Sequence, residues 1–170
     1  HSWRLYNSAL VSSMVLEAAV HAGRLYLQNV QRGQAMLKLD FNNAFNTLSR
    51  DELLRAVKEQ APELYPFAYI CYENATHLSF GDVLLRSDEG AQQGDPLGPL
   101  FFCLIVKNLF CKLTSEFGVW YLDDGTLGGS GNNLLSDFQT VLREARHTGL
   151  PLNEQKCELI TNDHNVMARI

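Results

Sequence analysis

The sequence predicts an α+β fold in which helices cover one face of a small antiparallel sheet. Three observations carry this expectation. Helix-like and strand-like patterns alternate as strand, helix, helix, hairpin, helix, hairpin, helix, strand, without regular β-α-β crossovers. The 170 residues, 46% of them hydrophobic, suffice for one compact core. No internal repeat or low-complexity linker divides the chain.

Each element has its own signal. Met14, Val15, Ala18, Ala19, Ala22 and Leu25 recur at helical spacing, which predicts a helix over 12–29, closed by Gly33. Residues 35–41 read as a mostly buried strand. Ser49-Arg50-Asp51-Glu52 is a capping-box sequence, and Leu53, Leu54 and Val57 follow on one face, so a helix is expected at 50–59. Pro62 opens another, carrying Leu64, Phe67, Ile70 and Cys71. Gly81-Asp82 is a hairpin turn between strands at 76–80 and 83–86. A Gly/Pro-punctuated loop at 88–98 leads into a long buried helix through Leu97, Leu100, Phe101, Leu104, Ile105 and Leu109. Strands at 117–122 and 126–129 flank an acidic turn. Asn132 is the expected cap of a helix whose face is Leu134, Leu135, Phe138, Val141, Leu142 and Ala145, and Gly149 stops it. A closing strand is expected at 157–161.

The charge balance narrows the function. There are 14 basic and 19 acidic residues, for a net charge of −5, the wrong sign for a stand-alone nucleic-acid binder. Contact with phosphates then requires a local basic patch, metal ions, or further parts of a longer protein. Cys71, Cys103, Cys111 and Cys157 lack zinc-ligand spacing; Cys103 and Cys111 read as small core residues, and the usage fits a reducing, intracellular compartment, nucleus or cytoplasm unresolved. The apolar run 96–113 is broken by Lys107, Asn108 and Lys112, so no membrane span is expected. The five histidines form no spacing motif. The chain reads as a fragment of something larger.

Tyr121-Leu122-Asp123-Asp124 is the most informative stretch. Two adjacent carboxylates follow strand formers and precede Gly125, so the pair is expected at a tight turn between strands. Adjacent acids repel and desolvate badly, and a bound cation relieves both costs. A plain solvated Asp-Asp-Gly turn is the competing reading. Asp40 ends the apolar strand before it and is either a strand-end turn residue or a partner for Asp123 across the sheet. Two or three carboxylates around one point would bind a pair of Mg²⁺ ions about 3.5–4 Å apart. Hard oxygen donors favour Mg²⁺ over Zn²⁺. In the loop Glu89 to Leu100, Gly94 permits close backbone approach and Gln93 offers both a donor and an acceptor.

Together these blocks resemble reverse transcriptases. Leu37-Lys38-Leu39-Asp40-Phe41-Asn42-Asn43-Ala44-Phe45 resembles motif A, and Gln93-Gly94-Asp95-Pro96-Leu97-Gly98-Pro99 resembles motif B. Tyr121-Leu122-Asp123-Asp124 resembles motif C, and Gly149-Leu150 through Asn153 with Lys156 resembles motif D. All four stand in family order, over about residues 12–162. The likeness is nearest to enzymes of non-LTR retrotransposon-like elements, with group II intron enzymes more distant. It departs at 11–16, Val-Ser-Ser-Met-Val-Leu, where such elements tend to carry a Gly-rich fingers segment before a stretch like Glu17-Ala18-Ala19-Val20.

The resemblance implies a polymerase palm over 35–170, a partial fingers segment and leading helix over 1–34, and no thumb. It implies an RNA-directed DNA polymerase core that transfers dNMP to a primer 3′-hydroxyl. Asp40, Asp123 and Asp124 would form the acidic cluster holding two Mg²⁺ ions (Mn²⁺ as substitute), with the Phe41 carbonyl as an extra ligand. Lys156 would protonate the leaving pyrophosphate; a solvated lysine is the alternative. Phe45 matches the aromatic steric gate under the incoming sugar, or is a core aromatic. Gln93 and Gly94 would contact nucleotide and template. Tyr121 is either a sheet-packing aromatic or a neighbour of the primer end, Arg24 either a surface arginine or a template-phosphate contact, and Lys38 a local charge partner or a functional residue. The implied partners are RNA template, DNA primer, dNTP and the remainder of a larger retroelement polyprotein, with no membrane. Two rival readings are an inactive or co-opted remnant serving as an RNA-binding or protein-interaction module, and an RNA-templated RNA polymerase, which Phe45 disfavours.

Overall fold

A computed structural model describes residues 3–6, 13–92 and 94–167. The elements are β1 (Trp3–Tyr6), α1 (Ser13–Gln28), β2 (Gln34–Asp40), α2 (Ala44–Thr47), α3 (Arg50–Gln60), a 3₁₀ turn (Pro62–Leu64), α4 (Tyr65–Tyr72), β3 (Thr76–Phe80), β4 (Val83–Ser87), α5 (Gly98–Phe110), β5 (Phe117–Tyr121), β6 (Asp124–Ser130), α6 (Gly131–Thr148), β7 (Glu158–Ile160) and α7 (His164–Met167). Five strands form one sheet in the order β1-β5-β6-β2-β7, and β3-β4 form a separate ribbon. The central pairings β5-β6, β6-β2 and β2-β7 are antiparallel, whereas β1 adds to β5 in parallel.

Strand alternation gives the sheet two unlike faces. Ala35, Leu37 and Leu39 of β2 point to one face and are buried, as are Trp120 of β5 and Leu127 of β6. These side chains join one core with Leu53, Ala56 and Val57 of α3, Phe101, Phe102, Ile105 and Leu109 of α5, and Leu134, Val141 and Ala145 of α6. Phe110 closes α5 edge-on to Trp120, with ring centroids 6.1 Å apart. Helices therefore cover this face, as the sequence predicts. The other face carries Lys38 and Asp40 on β2, Val119 and Tyr121 on β5, and Asp124 and Thr126 on β6. Its far end is roofed by α1, whose Tyr26 ring stacks on Phe117 at 4.9 Å. The end bearing the acids is half open.

Most expected elements form, with shifts that have physical reasons. Ser49 caps α3 by accepting from the Glu52 N–H. Gly149 ends α6 in the left-handed conformation at φ 71°, its N–H returning to Ala145 O. The cap of α6 is Ser130 rather than Asn132: its hydroxyl accepts from the Asn133 N–H at 3.3 Å, and the helix begins at Gly131. After Pro62 the chain makes the 3₁₀ turn before α4, and α4 buries Ala68 and Tyr72, while Ile70 is 82% exposed. Cys111 falls just past α5 and is exposed instead of in the core. Among the described residues no helix is long and apolar enough to cross a membrane.

Candidate active site

The acidic turn is built differently from an Asp-Asp-Gly turn. Tyr121 pairs with Asp124, so the two-residue connection is Leu122-Asp123. Leu122 takes the left-handed conformation at φ 50°, and its carbonyl accepts from the Trp120 indole N–H at 2.8 Å. Trp120, buried against the core, thus fixes the turn. Gly125 lies within β6, where an added Cβ would meet the Trp120 ring at 3.0 Å. The glycine follows the acids because the indole fills the space beside them.

The register then sets the charges. The residue opposite Asp40 on β6 is Asp124, and Asp123 stands beside it in the turn. Directly opposed residues in an antiparallel pair point to one face, with Cβ atoms about 4.5–5.5 Å apart. Asp40, Asp124 and Tyr121 consequently form one row across β2, β6 and β5 on the open face. The Asp124 carboxyl is held above its ordinary range by burial first, then by the Asp123 charge, and also by Asp40; Lys38 and Lys156 pull it back down. Lys156 Nζ lies 4.0 Å from Asp40 Oδ1. Lys38, one row along the same face, pairs with Glu158 of β7 at 3.6 Å, which makes it a local charge partner.

The segment 149–157 anchors the end of β2. Asn153 N–H donates to Asp40 O at 2.8 Å, Asn42 N–H donates to Pro151 O at 2.7 Å, and Phe41 bridges Leu152. The Phe41 ring is buried 5.7 Å from Trp120. Cys157 also lies beside Asp40; burial pushes its thiol up, a hydrogen bond from the Asp40 backbone offsets part of this, and the Asp40 and Glu154 charges push it up further, so it stays protonated at neutral pH.

A family model described as reverse transcriptase (RNA-dependent DNA polymerase) matches residues 4–167. This chain belongs to the reverse transcriptase family. A curated relative, the retrovirus-related Pol polyprotein from type-1 retrotransposable element R2 of Popillia japonica, is 26% identical over 131 residues, which are 72% of this chain and 17% of that protein. Among solved structures, telomerase from Candida albicans in complex with a fragment of telomeric RNA superposes with a TM-score of 0.65 at 16% identity. That match covers 91% of this chain and 31% of the telomerase chain. Apo telomerase from Candida tropicalis gives 0.65 at 12% identity, covering 92% and 33%. The telomerase likenesses show the fold, a polymerase palm. The chain spans about a sixth of its retrotransposon relative and about a third of these structures.

The remaining candidate residues lie in four regions. Phe45 is the second residue of α2, which follows Asn43, left-handed at φ 54°; the Phe45 ring is half-buried and stacks on Phe102 at 4.7 Å. Gly94 sits in the turn ahead of α5 at φ 91°, with open space where a Cβ would be. Gln93 lies outside the described residues. Tyr121 is half-buried in the acid row, and Arg24 is exposed on α1.

Sequence reasoning missed the groups that hold the motif B loop. Tyr72 donates its hydroxyl to Asp95 and accepts from the Gln92 N–H at 3.2 Å. Asp95 Oδ1 accepts from the Leu97 N–H at 2.8 Å. Arg50 reaches the same loop from α3. The Tyr72 and Arg50 contacts join segments far apart in sequence, so spacing does not signal them; the cation at the start of α3, where the helix dipole favours anions, is the one local sign.

Proposed function

We propose that this chain is the catalytic core of an RNA-directed DNA polymerase, extending a DNA primer on an RNA template with dNTPs. The observation carrying the proposal is the row Asp40–Asp124, opposed in register on the half-open face with Asp123 at the adjoining turn, in a chain of the reverse transcriptase family. Among the described residues no three or more His, Cys, Asp or Glu side chains gather into a metal cage. Paired carboxylates on one face still fit Mg²⁺, which is commonly held by one or two carboxylates and completes its shell with water and substrate phosphates. The donor set is all oxygen, and the neighbouring Cys157 thiol is kept protonated.

In this reading Asp40, Asp123 and Asp124 would hold Mg²⁺, two ions once substrate phosphates complete their shells, or Mn²⁺ in their place, with the Phe41 carbonyl as a further ligand. When bound, the ions supply charge stabilisation for the attacking primer 3′-hydroxyl and the departing pyrophosphate. Lys156 Nζ, beside Asp40, gives a proton to the pyrophosphate. The Phe45 ring, fixed by Phe102, stands under the sugar and excludes a 2′-hydroxyl. Gln93 and Gly94 pack against nucleotide and template, Tyr121 lies near the primer end, and Arg24 contacts template phosphate from the α1 side. Residues 1–34 act as a partial fingers segment and 35–170 as the palm; the remainder of a larger polyprotein supplies the basic grip that a net charge of −5 lacks.

Purified protein with Mg²⁺ or Mn²⁺, a primed RNA template and dNTPs tests the proposal. The expected result is extension that disappears in Asp123→Ala with Asp124→Ala. Extension surviving that double change would refute the assigned site. Phe45→Val is expected to raise NTP incorporation about tenfold or more by removing the clash with the 2′-hydroxyl. A protein that binds RNA, yet shows neither extension nor dNTP-dependent stabilisation, is the remnant instead. Preferential use of NTPs by the unaltered protein would mark an RNA polymerase.

A further inference from the structure

Arg50 is a buried cation outside the acid row. It sits in the first turn of α3, where the helix dipole favours anions over cations. The residue is 6% exposed, and all three of its hydrogen bonds go to neutral acceptors. Nε donates to Gly90 O at 3.1 Å, one terminal nitrogen to Ser87 O at 2.9 Å and the other to Ser87 Oγ at 3.0 Å. The guanidinium also lies over the Tyr72 ring, 5.6 Å from its centroid. A planar fork buried at the unfavourable end of a helix has a geometric task that a solvated cation does not.

That task is visible in the segments it joins. Gly90 N–H donates to Leu48 O and Ala91 N–H to Phe45 O, each at 2.7 Å, so residues 90–91 run against the stretch carrying Phe45. Gly90 adopts φ 74°, and a Cβ there would come within 2.7 Å of Asn46 Cα. On the far side of Gly94, Asp95 is held by Tyr72. A cavity of about 830 Å³ opens beside this joint, lined in part by Asn46, Ser87, Ala91 and Gln92.

We propose that Arg50 is a positioning residue for nucleotide selection: it clamps the loop 87–92 onto 45–48 and so fixes Gly94 relative to Phe45. The proposal rests on the polymerase reading above. Arg50 itself touches neither nucleotide nor metal.

Arg50→Lys keeps the charge and stem but loses the fork, and Ser87→Ala removes one acceptor; both avoid the unpaired cavity that Arg50→Ala would leave. Two readouts apply. In primer extension with titrated dNTP, Arg50→Lys is expected to raise the dNTP KM and lower the dNTP-over-NTP preference about tenfold each, with kcat at saturation nearly unchanged. Ser87→Ala should shift both in the same direction by less. In hydrogen exchange, the Gly90 and Ala91 amides should exchange about tenfold faster in Arg50→Lys. The Thr114 and Ser115 amides, held by Asp137, should keep the wild-type rate. Unchanged exchange at 90–91, or acceleration equal across the fold, overturns the clamp. A loss confined to kcat overturns the role in selection. Should the wild-type protein extend no primer, the polymerase reading fails on its own account, and the exchange experiment still decides whether Arg50 holds the loop.

Discussion

Asp124→Asn should stabilise the metal-free protein and remove much of its response to Mg²⁺. Asp40 and Asp124 are direct register partners, so their Cβ atoms lie about 5 Å apart. Two unit charges at that distance near water repel by about 1 kcal/mol. Lys38 and Lys156 offset part of this, and the exposure of Asp124 screens more, leaving about 0.5 kcal/mol net. For a chain of this size that corresponds to a rise in Tm of about 1–2 °C in EDTA at low salt. The pH dependence has a definite sign. The folded state binds the Asp124 proton more tightly than the unfolded chain does, so wild-type stability falls as pH rises from the ordinary value of 3.8 through the raised one, then levels off. The advantage of the Asn variant is accordingly absent below that window and complete at pH 7. Mg²⁺ at about ten times the Kd of the proposed site would stabilise the wild type by about 1.4 kcal/mol. The variant should gain less than half of that. An Asn variant no more stable than wild type in EDTA at pH 7, or one gaining equally from Mg²⁺, would refute the shared-charge account. Differential scanning fluorimetry across pH, with and without the ion, measures all of it.

Two further perturbations probe the frame around the site. Asp137, 1% exposed, accepts from the backbone and hydroxyls of both Thr114 and Ser115, so Asp137→Ala should cost about 3 kcal/mol, read as a lower urea midpoint at unchanged m. At Gly149, left-handed and with a Cβ position 2.7 Å from Ser49 N, Gly149→Ala should destabilise by about 2 kcal/mol or more, whereas Gly23→Ala, on α1 with open space around it, should stabilise by up to about 1 kcal/mol; paired thermal melts give both signs.

Local patterns were readable where the residues that set them are neighbours. Ser49 and Glu52 announce the start of α3, Gly149 announces the end of α6, and Gly81-Asp82 announces the ribbon, because caps and turns are closed by atoms a few residues apart. The three acids were readable as candidates, since a strand end and an acidic turn carry their own signatures. What stayed hidden depends on partners remote in sequence. That Asp124 rather than Asp123 opposes Asp40 follows from the turn at Leu122-Asp123, which is fixed by the Trp120 indole. The joining of β1 to β5 in parallel has no local signal at all. Ile70 and Phe67 looked like a buried face, but α4 packs along Tyr65, Ala68, Cys71 and Tyr72, and periodicity does not say which stripe a short helix buries.

The acid row and the hydrophobic core are specified by the same register. Along β2, Leu37 and Leu39 alternate with Lys38 and Asp40, and along β6, Leu127 alternates with Thr126 and Asp124. A slip of one residue in either strand would turn every one of these side chains over, exposing leucines and driving a carboxylate against Trp120 and the core. Burying an unpaired carboxylate costs several kcal/mol, and exposing a leucine costs about 1.5–3 kcal/mol more. These penalties far exceed the roughly 0.5 kcal/mol of like-charge strain that the correct register tolerates between Asp40 and Asp124. Core packing therefore forces the carboxylates together without help from an ion. The carboxylate row is assembled by folding itself, and a divalent cation bound there would relieve its residual repulsion.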